Sequence, residues 1–444
     1  MTMSYGARRR LAHRLPFFYG WVIVAVAFVT LGLGANARTA FSLLFPPILK
    51  EFGWDRAMTA SVFSAGFISS ALYAPLVGYA LDRFGPQRVM PFGAALVAAG
   101  LVLTTYATQP WHFYLSLGGL VVGASSLLAY NAHFVFLPSW FERRRGLALG
   151  VACAGVGATS ILLFPWFQAT IDGIGWRAGC LTLAALMIGL VLPLNLAFPL
   201  RRPGDIGLPP DGRAPAHDAA SATAASATPP ARQWTWRSAV LTPAFWYVSG
   251  ACAMGLFAWY GILVHQTKYL LDLGFGSRLA AYALGLVPLF AVTGQIGLGH
   301  LSDRIGRGWV WTLSMTGFAL CYGLLLVLPL WPSPALVFLM VAVQGALGYS
   351  LAVVFGAVPS ELFPGADYGR IFGTIALLAT VGASSSPWLF GWLHDKTGNY
   401  VLAFLTAIAA SILSALLVWL AIRDGERRNR AATMATRPPP ASHT

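Results

Sequence analysis

Apolar residues run along this chain in stretches long enough to cross a lipid bilayer, which takes roughly 20 residues of helix, separated by short segments rich in Gly, Pro and Arg. Twelve such stretches fall near 17–48, 57–80, 89–107, 112–137, 146–170, 177–198, 243–269, 278–301, 309–330, 335–358, 370–391 and 400–421. The pattern predicts an all-α membrane protein of twelve transmembrane helices, six before a polar gap and six after it. In the gap, Arg201-Arg202-Pro203-Gly204 leads into Ala-, Ser- and Pro-rich sequence ending at Pro229-Pro230, too polar and repetitive to bury a core. The expected organisation is a six-helix bundle over 1–198, a cytoplasmic linker over 199–238, a second bundle over 239–422 and a cytoplasmic tail over 423–444.

The two halves repeat one another. Gly78-Tyr79-Ala80-Leu81-Asp82-Arg83-Phe84-Gly85 returns as Gly299-His300-Leu301-Ser302-Asp303-Arg304-Ile305-Gly306, the aspartates 221 positions apart (303 − 82 = 221). Lys50-Glu51-Phe52-Gly53 answers Leu271-Asp272-Leu273-Gly274, Pro138-Ser139 answers Pro359-Ser360, and Asp172 to Gly175 answers Asp395 to Gly398. A duplication counted in membrane spans is the mark of a two-halved transporter and not of a solenoid.

Composition agrees: 57% of residues are hydrophobic and 10% charged, far from the quarter or so charged in soluble domains. The net charge of +14 would suggest nucleic acid in a soluble protein, but its placement orients this one. Twenty-two Lys and Arg residues fall on the side of the termini and six on the other, with Arg38 left inside a span, which is the positive-inside bias. Both termini are therefore expected in the cytoplasm of a cell with the chain in its inner membrane, with lipid and no nucleic acid as surroundings. Arg8 to Arg14, the apolar run after them and Ala35-Asn36-Ala37 resemble a secretory signal, but the run is longer than a signal core and its end recurs in the second half. Cys153, Cys180, Cys252 and Cys321 lie inside spans without metal-ligand spacing, and no Gly-x4-Gly-Lys-Ser/Thr phosphate loop occurs, so no metal, cofactor or ATP hydrolysis is expected.

The repeated Gly-x3-Asp-Arg-x-Gly loop resembles that of the major facilitator superfamily. Trp140 to Gly150, Gly175-Trp176-Arg177, Phe45-Pro46-Pro47 and Phe52-Gly53-Trp54 are similar to the branch of monocarboxylate transporters and oxalate/formate antiporters. The resemblance implies two pseudo-symmetric bundles around one central site, with Asp82, Arg83, Arg145, Asp303 and Arg304 in a cytoplasmic gate. Independently of family, Gly85 and Gly306 suit tight turns, and an aspartate at a helix end can accept hydrogen bonds there.

All fifteen acidic residues fall in loops, tails or span edges, so the usual intramembrane proton-relay acid is absent. Arg38 lies in the outer half of the first span, two turns before Pro46. A lone intramembrane cation is costly and points to a functional site, and its planar fork matches a carboxylate. Candidate companions are His265, Tyr349, and the stripe Ser126, Tyr130 and His133, whose spacings of four and three share one face of a regular helix. Asn131 points elsewhere on such a helix and is the alternative. The branch carries an arginine in the eighth span, but here Ala280 to His300 has no charged residue before its end, so either the positive anchor has moved to Arg38 or the substrate is not a simple carboxylate.

These observations predict a monomeric secondary transporter, not an enzyme, that moves a small organic anion, a monocarboxylate, as a symporter with a proton or an antiporter with a counter-anion. Tyr130, His133 and His265 would shape the cavity or take up the proton. The alternatives are efflux of an amphipathic drug or lipophilic anion, suggested by Phe245, Trp246, Trp259 and Tyr260, and a non-transporting sensor.

Overall fold

Backbone polar groups in lipid have to be satisfied inside their own segment, so long apolar stretches become helices. The computed structural model describes residues 10, 14–141, 145–198, 200, 202–209, 234–365 and 367–435. Ten helices there are long and apolar enough to span a membrane: α1 (Gly20–Phe52), α3 (Pro86–Thr105), α5 (Arg145–Ile174), α6 (Trp176–Ala197), α7 (Pro243–Asp272), α8 (Ser277–Ile305), α9 (Arg307–Val327), α10 (Pro334–Leu362), α11 (Tyr368–Thr397) and α12 (Val401–Ala435). Two more segments stand where the second and fourth spans are expected. α2 (Arg56–Phe84) is continuous but carries several serines. α4 is broken: a turn at Pro110–Phe113, a π-helical stretch Tyr114–Gly123, a 3₁₀ turn Ala124–Leu127, a helix Tyr130–Phe136 and a 3₁₀ turn Leu137–Ser139.

Local chemistry sets the ends. Asp55 caps α2, its carboxylate accepting from Met58 N at 2.6 Å, and Thr242 before Pro243 caps α7 in the same way, as short oxygen-bearing side chains do. Gly85 and Gly306, at φ 73° and 91°, turn the chain from α2 into α3 and from α8 into α9. Both copies of the repeated motif thus end in a backbone state that favours glycine, as the sequence predicts.

The buried apolar side chains form two cores. One runs from Tyr19 to Ile206 and also takes in Leu263, Val264, Ala281, Leu284 and Ala383 from the second half; the other runs from Trp234 to Ala421. The shared residues mark where the halves press together.

Within a half, packing relies on the lack of a side chain. A Cβ on Gly382 of α11 would stand 1.8 Å from the carbonyl oxygen of Ala253 in α7, and backbone cannot rotate away. Gly382→Ala is expected to destabilise the protein by about 1–3 kcal/mol through overpacking. Gly369→Ala, where nothing lies within 4 Å, serves as the control. Melting in detergent measures the contrast, and equal melting temperatures would contradict it.

Candidate substrate cavity

α1 is helical to Thr39, turns at Ala40 and resumes from Phe41 to Phe52. Pro46 and Pro47 lie in its second piece, where each removes a backbone donor. Arg38 stands in the last turn of the first piece, eighteen residues or about 27 Å along the axis from Gly20 at 1.5 Å per residue. That depth is far from either end of a 33-residue helix.

The guanidinium of Arg38 lies between an aromatic ring of its own half and one of the other half instead of against lipid. Its central carbon is 4.3 Å from the ring centroid of Phe67 in α2 and 5.6 Å from that of Tyr260 in α7, and the Phe67 and Tyr260 rings meet edge-on at 4.2 Å. Cation–π contact of this kind offsets part of the desolvation of a cation, on the order of 0.5–2 kcal/mol, but supplies no hydrogen-bond acceptor. Among the described residues Arg38 has no ion pair, and its Nε is buried without a hydrogen-bond partner.

Arg38 lines a cavity of 510 Å³ between the halves. Asn36, Tyr130 and Cys153 line it from the first half, and Trp259, Tyr260, Gln295 and Tyr349 from the second. Asn36 donates from Nδ2 to the Val156 carbonyl at 2.9 Å, leaving Oδ1 without a partner. Gln295 Nε2 donates to the Tyr349 carbonyl at 3.2 Å. Trp259 and Tyr349 stack, centroids 4.0 Å apart.

Two breaks in helices border this space. α4 unwinds at Leu128 and Ala129, the latter in extended backbone, and α10 is interrupted by a 3₁₀ turn at Gly348–Ser350. Leu128 and Tyr349 are 221 residues apart, the offset of the sequence repeat, so both copies break at the same place. Discontinuous helices at a midplane cavity are the pattern of secondary transporters.

The break in α4 also alters the expected stripe, because a regular helix no longer relates Ser126 to Tyr130 and His133, which share the helix Tyr130–Phe136. Tyr130 lines the cavity, whereas Ser126 turns back to the Gly123 carbonyl at 2.8 Å. His133 is buried with Nδ1 3.1 Å from the Ala129 carbonyl and is not among the lining residues. The Asn131 side chain lies outside what the structure describes. His265 is not among the lining residues either: it is buried 2.8 Å from the Pro387 carbonyl and 2.9 Å from the Tyr400 hydroxyl, against the edge of Phe45.

His265 belongs to a closure at the face opposite the termini. Arg56, at the start of α2, reaches Asp272 at 2.7 Å and the Tyr400 hydroxyl at 2.8 Å, while Lys268 also contacts Asp272. Asp395 of α11 accepts from the backbone N–H of Arg56 at 3.2 Å and of Ala57 at 2.8 Å, the favourable place for an anion at a helix start. The repeat makes a related contact on the other seam, where Asp172 of α5 accepts from the Ser277 hydroxyl at the start of α8 at 2.6 Å. Deeper in, Ser42 and Thr267 hydroxyls meet at 2.9 Å and Ser160 donates to the Gly285 carbonyl at 2.6 Å. Apart from Lys268 with Asp272 and the hydrogen bonds of His265, which stay within the second half, these bonds join the two halves, so this face is shut.

Of the expected gate at the other face, the side chains of Asp82, Arg145 and Asp303 lie outside the described residues. Arg304 is exposed, and Arg83 is exposed beside the Tyr79 hydroxyl and the ring of Phe84. The sequence reading did not single out Phe67, Arg56, Asp272 or Asp395 for the site or its closure. A usable signal was present for the aspartates, since Asp172 and Asp395 are landmarks of the repeat.

With this geometry in place, comparison with known proteins supplies the family. A model of the Major Facilitator Superfamily matches residues 24–350 and 272–442. The chain belongs to that superfamily. It is thus a multi-pass membrane protein of a transporter class, not of an enzyme class. Monocarboxylate transporter 11 of Mus musculus is 30% identical to this transporter over 420 residues, covering 91% of this chain and 87% of that protein. Monocarboxylate transporter 12 of Rattus norvegicus is 27% identical over 427 residues, covering 91% and 85%. The solved structure of a bacterial homologue of the human lysosomal transporter Spinster, inward-facing and occupied, aligns with a TM-score of 0.68 at 16% identity, over 91% of this chain and 97% of that one. A D-xylose-proton symporter aligns at 0.66 with 16% identity over 90% and 97%.

Proposed function

We propose that this transporter moves a small monocarboxylate across the inner membrane by alternating access, driven by proton symport or by exchange for a second anion. The observation that carries the reading is Arg38, a guanidinium well inside a membrane-length helix that lines the inter-bundle cavity without an ion-pair partner among the described residues. A cation there is best relieved by an anion that brings its own charge into the wet cavity. A carboxylate fits the planar fork of arginine with two parallel hydrogen bonds. The names of the relatives, monocarboxylate transporters 11 and 12, support the same substrate class.

The positive-inside bias supports cytoplasmic termini, and with that orientation the closure around Arg56 faces outward and the described state is closed to the outside. The described cavity lining holds neither a carboxylate nor a histidine, which favours exchange, or symport through groups beyond the lining, over a histidine proton relay at the site. The test is uptake of labelled lactate, pyruvate, formate and oxalate into proteoliposomes, with and without an imposed pH gradient. The expected result is saturable uptake of a monocarboxylate. Stimulation by an inward proton gradient assigns symport, and stimulation by internal anion alone assigns exchange. Transport of none of these acids would contradict the reading for short acids.

A further inference from the structure

Resting on the carboxylate reading, we propose that the preferred acid carries an aromatic body, with its carboxylate on Arg38 and its ring against Trp259 and Tyr349. The cavity volume of 510 Å³ falls in the range of about 300–1,000 Å³ that holds drug-sized ligands, and a two- or three-carbon acid occupies a small part of it. Its charge is confined to one end. Arg38 is the one charged residue among the described lining, so a second carboxylate would enter the apolar remainder without a counter-charge, which is costly.

From Arg38 the wall continues as aromatic surface. Tyr260 lies under the guanidinium, the Trp259 ring centroid is 6.2 Å from that of Tyr260, and Tyr349 stacks on Trp259 at 4.0 Å with 24° between planes. Tyr349 is held there by the break in α10, and both Trp259 and Tyr349 line the cavity. Rings of this kind favour another ring in offset or edge contact beyond the gain from area alone. A cation at one end and a stacked pair farther along match an arylalkyl or aryl-keto acid and oppose a dicarboxylate.

The experiment compares labelled pyruvate with labelled phenylpyruvate, which differ by one phenyl ring, in proteoliposomes of wild type, Arg38→Gln, Trp259→Ala and Trp259→Phe. Phenylpyruvate is expected to saturate at a concentration about tenfold or more below pyruvate, as burial of a ring implies, and Arg38→Gln is expected to abolish its uptake. Trp259→Ala should bring the ratio of the two half-saturation constants below about threefold, and Trp259→Phe should keep most of it. Equal half-saturation in wild type, with both acids dependent on Arg38, would overturn the aromatic preference and leave the carboxylate reading standing. Phenylpyruvate uptake unchanged by Arg38→Gln would overturn both. The wild-type ratio stands without the variants, so misfolding of Trp259→Ala does not blunt the test.

Discussion

Replacing Arg38 by glutamine is expected to remove saturable monocarboxylate transport while leaving the fold intact. The guanidinium makes no ion pair among the described residues and rests on the faces of Phe67 and Tyr260. Its loss therefore strands no protein carboxylate, and stability should change little or rise as a cation leaves the membrane interior. The substrate, by contrast, loses its charged partner. Truncating one side of a buried, hydrogen-bonded charge pair costs on the order of 2–5 kcal/mol, or roughly 30-fold or more in affinity. Arg38→Lys keeps the charge without the planar fork and is expected to fall between the two. The checks are uptake kinetics and melting in detergent. A variant that melts far below wild type would show that Arg38 holds structure.

The second large effect is expected at the closure opposite the termini, the outer one under the proposed orientation. Arg56 is 14% exposed, tied to Asp272 and to the Tyr400 hydroxyl across the seam, with its guanidinium 5.2 Å from the Tyr400 ring centroid. Arg56→Gln leaves Asp272 with Lys268 alone and deprives Tyr400 of a charged donor. These losses fall on the closed state, because water hydrates the same groups once the halves part. At about 2 kcal/mol, the low end for a charge pair that is partly exposed, the balance shifts toward the open-outward state by about thirtyfold.

The shift is readable as the rate at which an impermeant maleimide applied from outside labels Ser42→Cys, in a background without the four native cysteines. Ser42 is buried in the closed seam against Thr267. Labelling should rise at least tenfold with Arg56→Gln, as a shift of this size implies, and should rise again when Asp395→Asn weakens the cap on Arg56 and Ala57. No change in rate would show that the ionic cluster does not hold the halves together.

Much of the architecture was readable from residues because lipid leaves few choices. Apolar length sets the helices, and the repeated Gly85 and Gly306 mark turns that need positive φ. Where the backbone departs from a regular helix, reading by period failed. The stripe Ser126, Tyr130 and His133 assumed 3.6 residues per turn throughout, but Leu128 and Ala129 break α4 and part Ser126 from the other two; within the helix after the break, Tyr130 lines the cavity while His133 turns back to the Ala129 carbonyl. For the histidines residue type alone did not decide the role: a polar ring in an apolar run looks functional, yet His265 and His133 are packed against backbone carbonyls. Arg38 was legible because an unpaired cation within a span is rare. Its cage was not, since Phe67 and Tyr260 carry no mark that separates them from other aromatic residues in lipid. Arg56, Asp272 and Asp395 were counted as loop charges, and a count cannot show that three helix ends meet.

The central claim is that Arg38 binds the carboxylate, and equilibrium binding to purified protein tests it without the complication of gating. Labelled pyruvate and phenylpyruvate would be titrated onto wild type and Arg38→Gln in detergent, with the corresponding methyl esters as uncharged competitors. The account predicts saturable binding of at least one acid to wild type, weakened by roughly 30-fold or more in Arg38→Gln, and no competition by the esters. Equal affinity of wild type and Arg38→Gln, or equal competition by acid and ester, would contradict it.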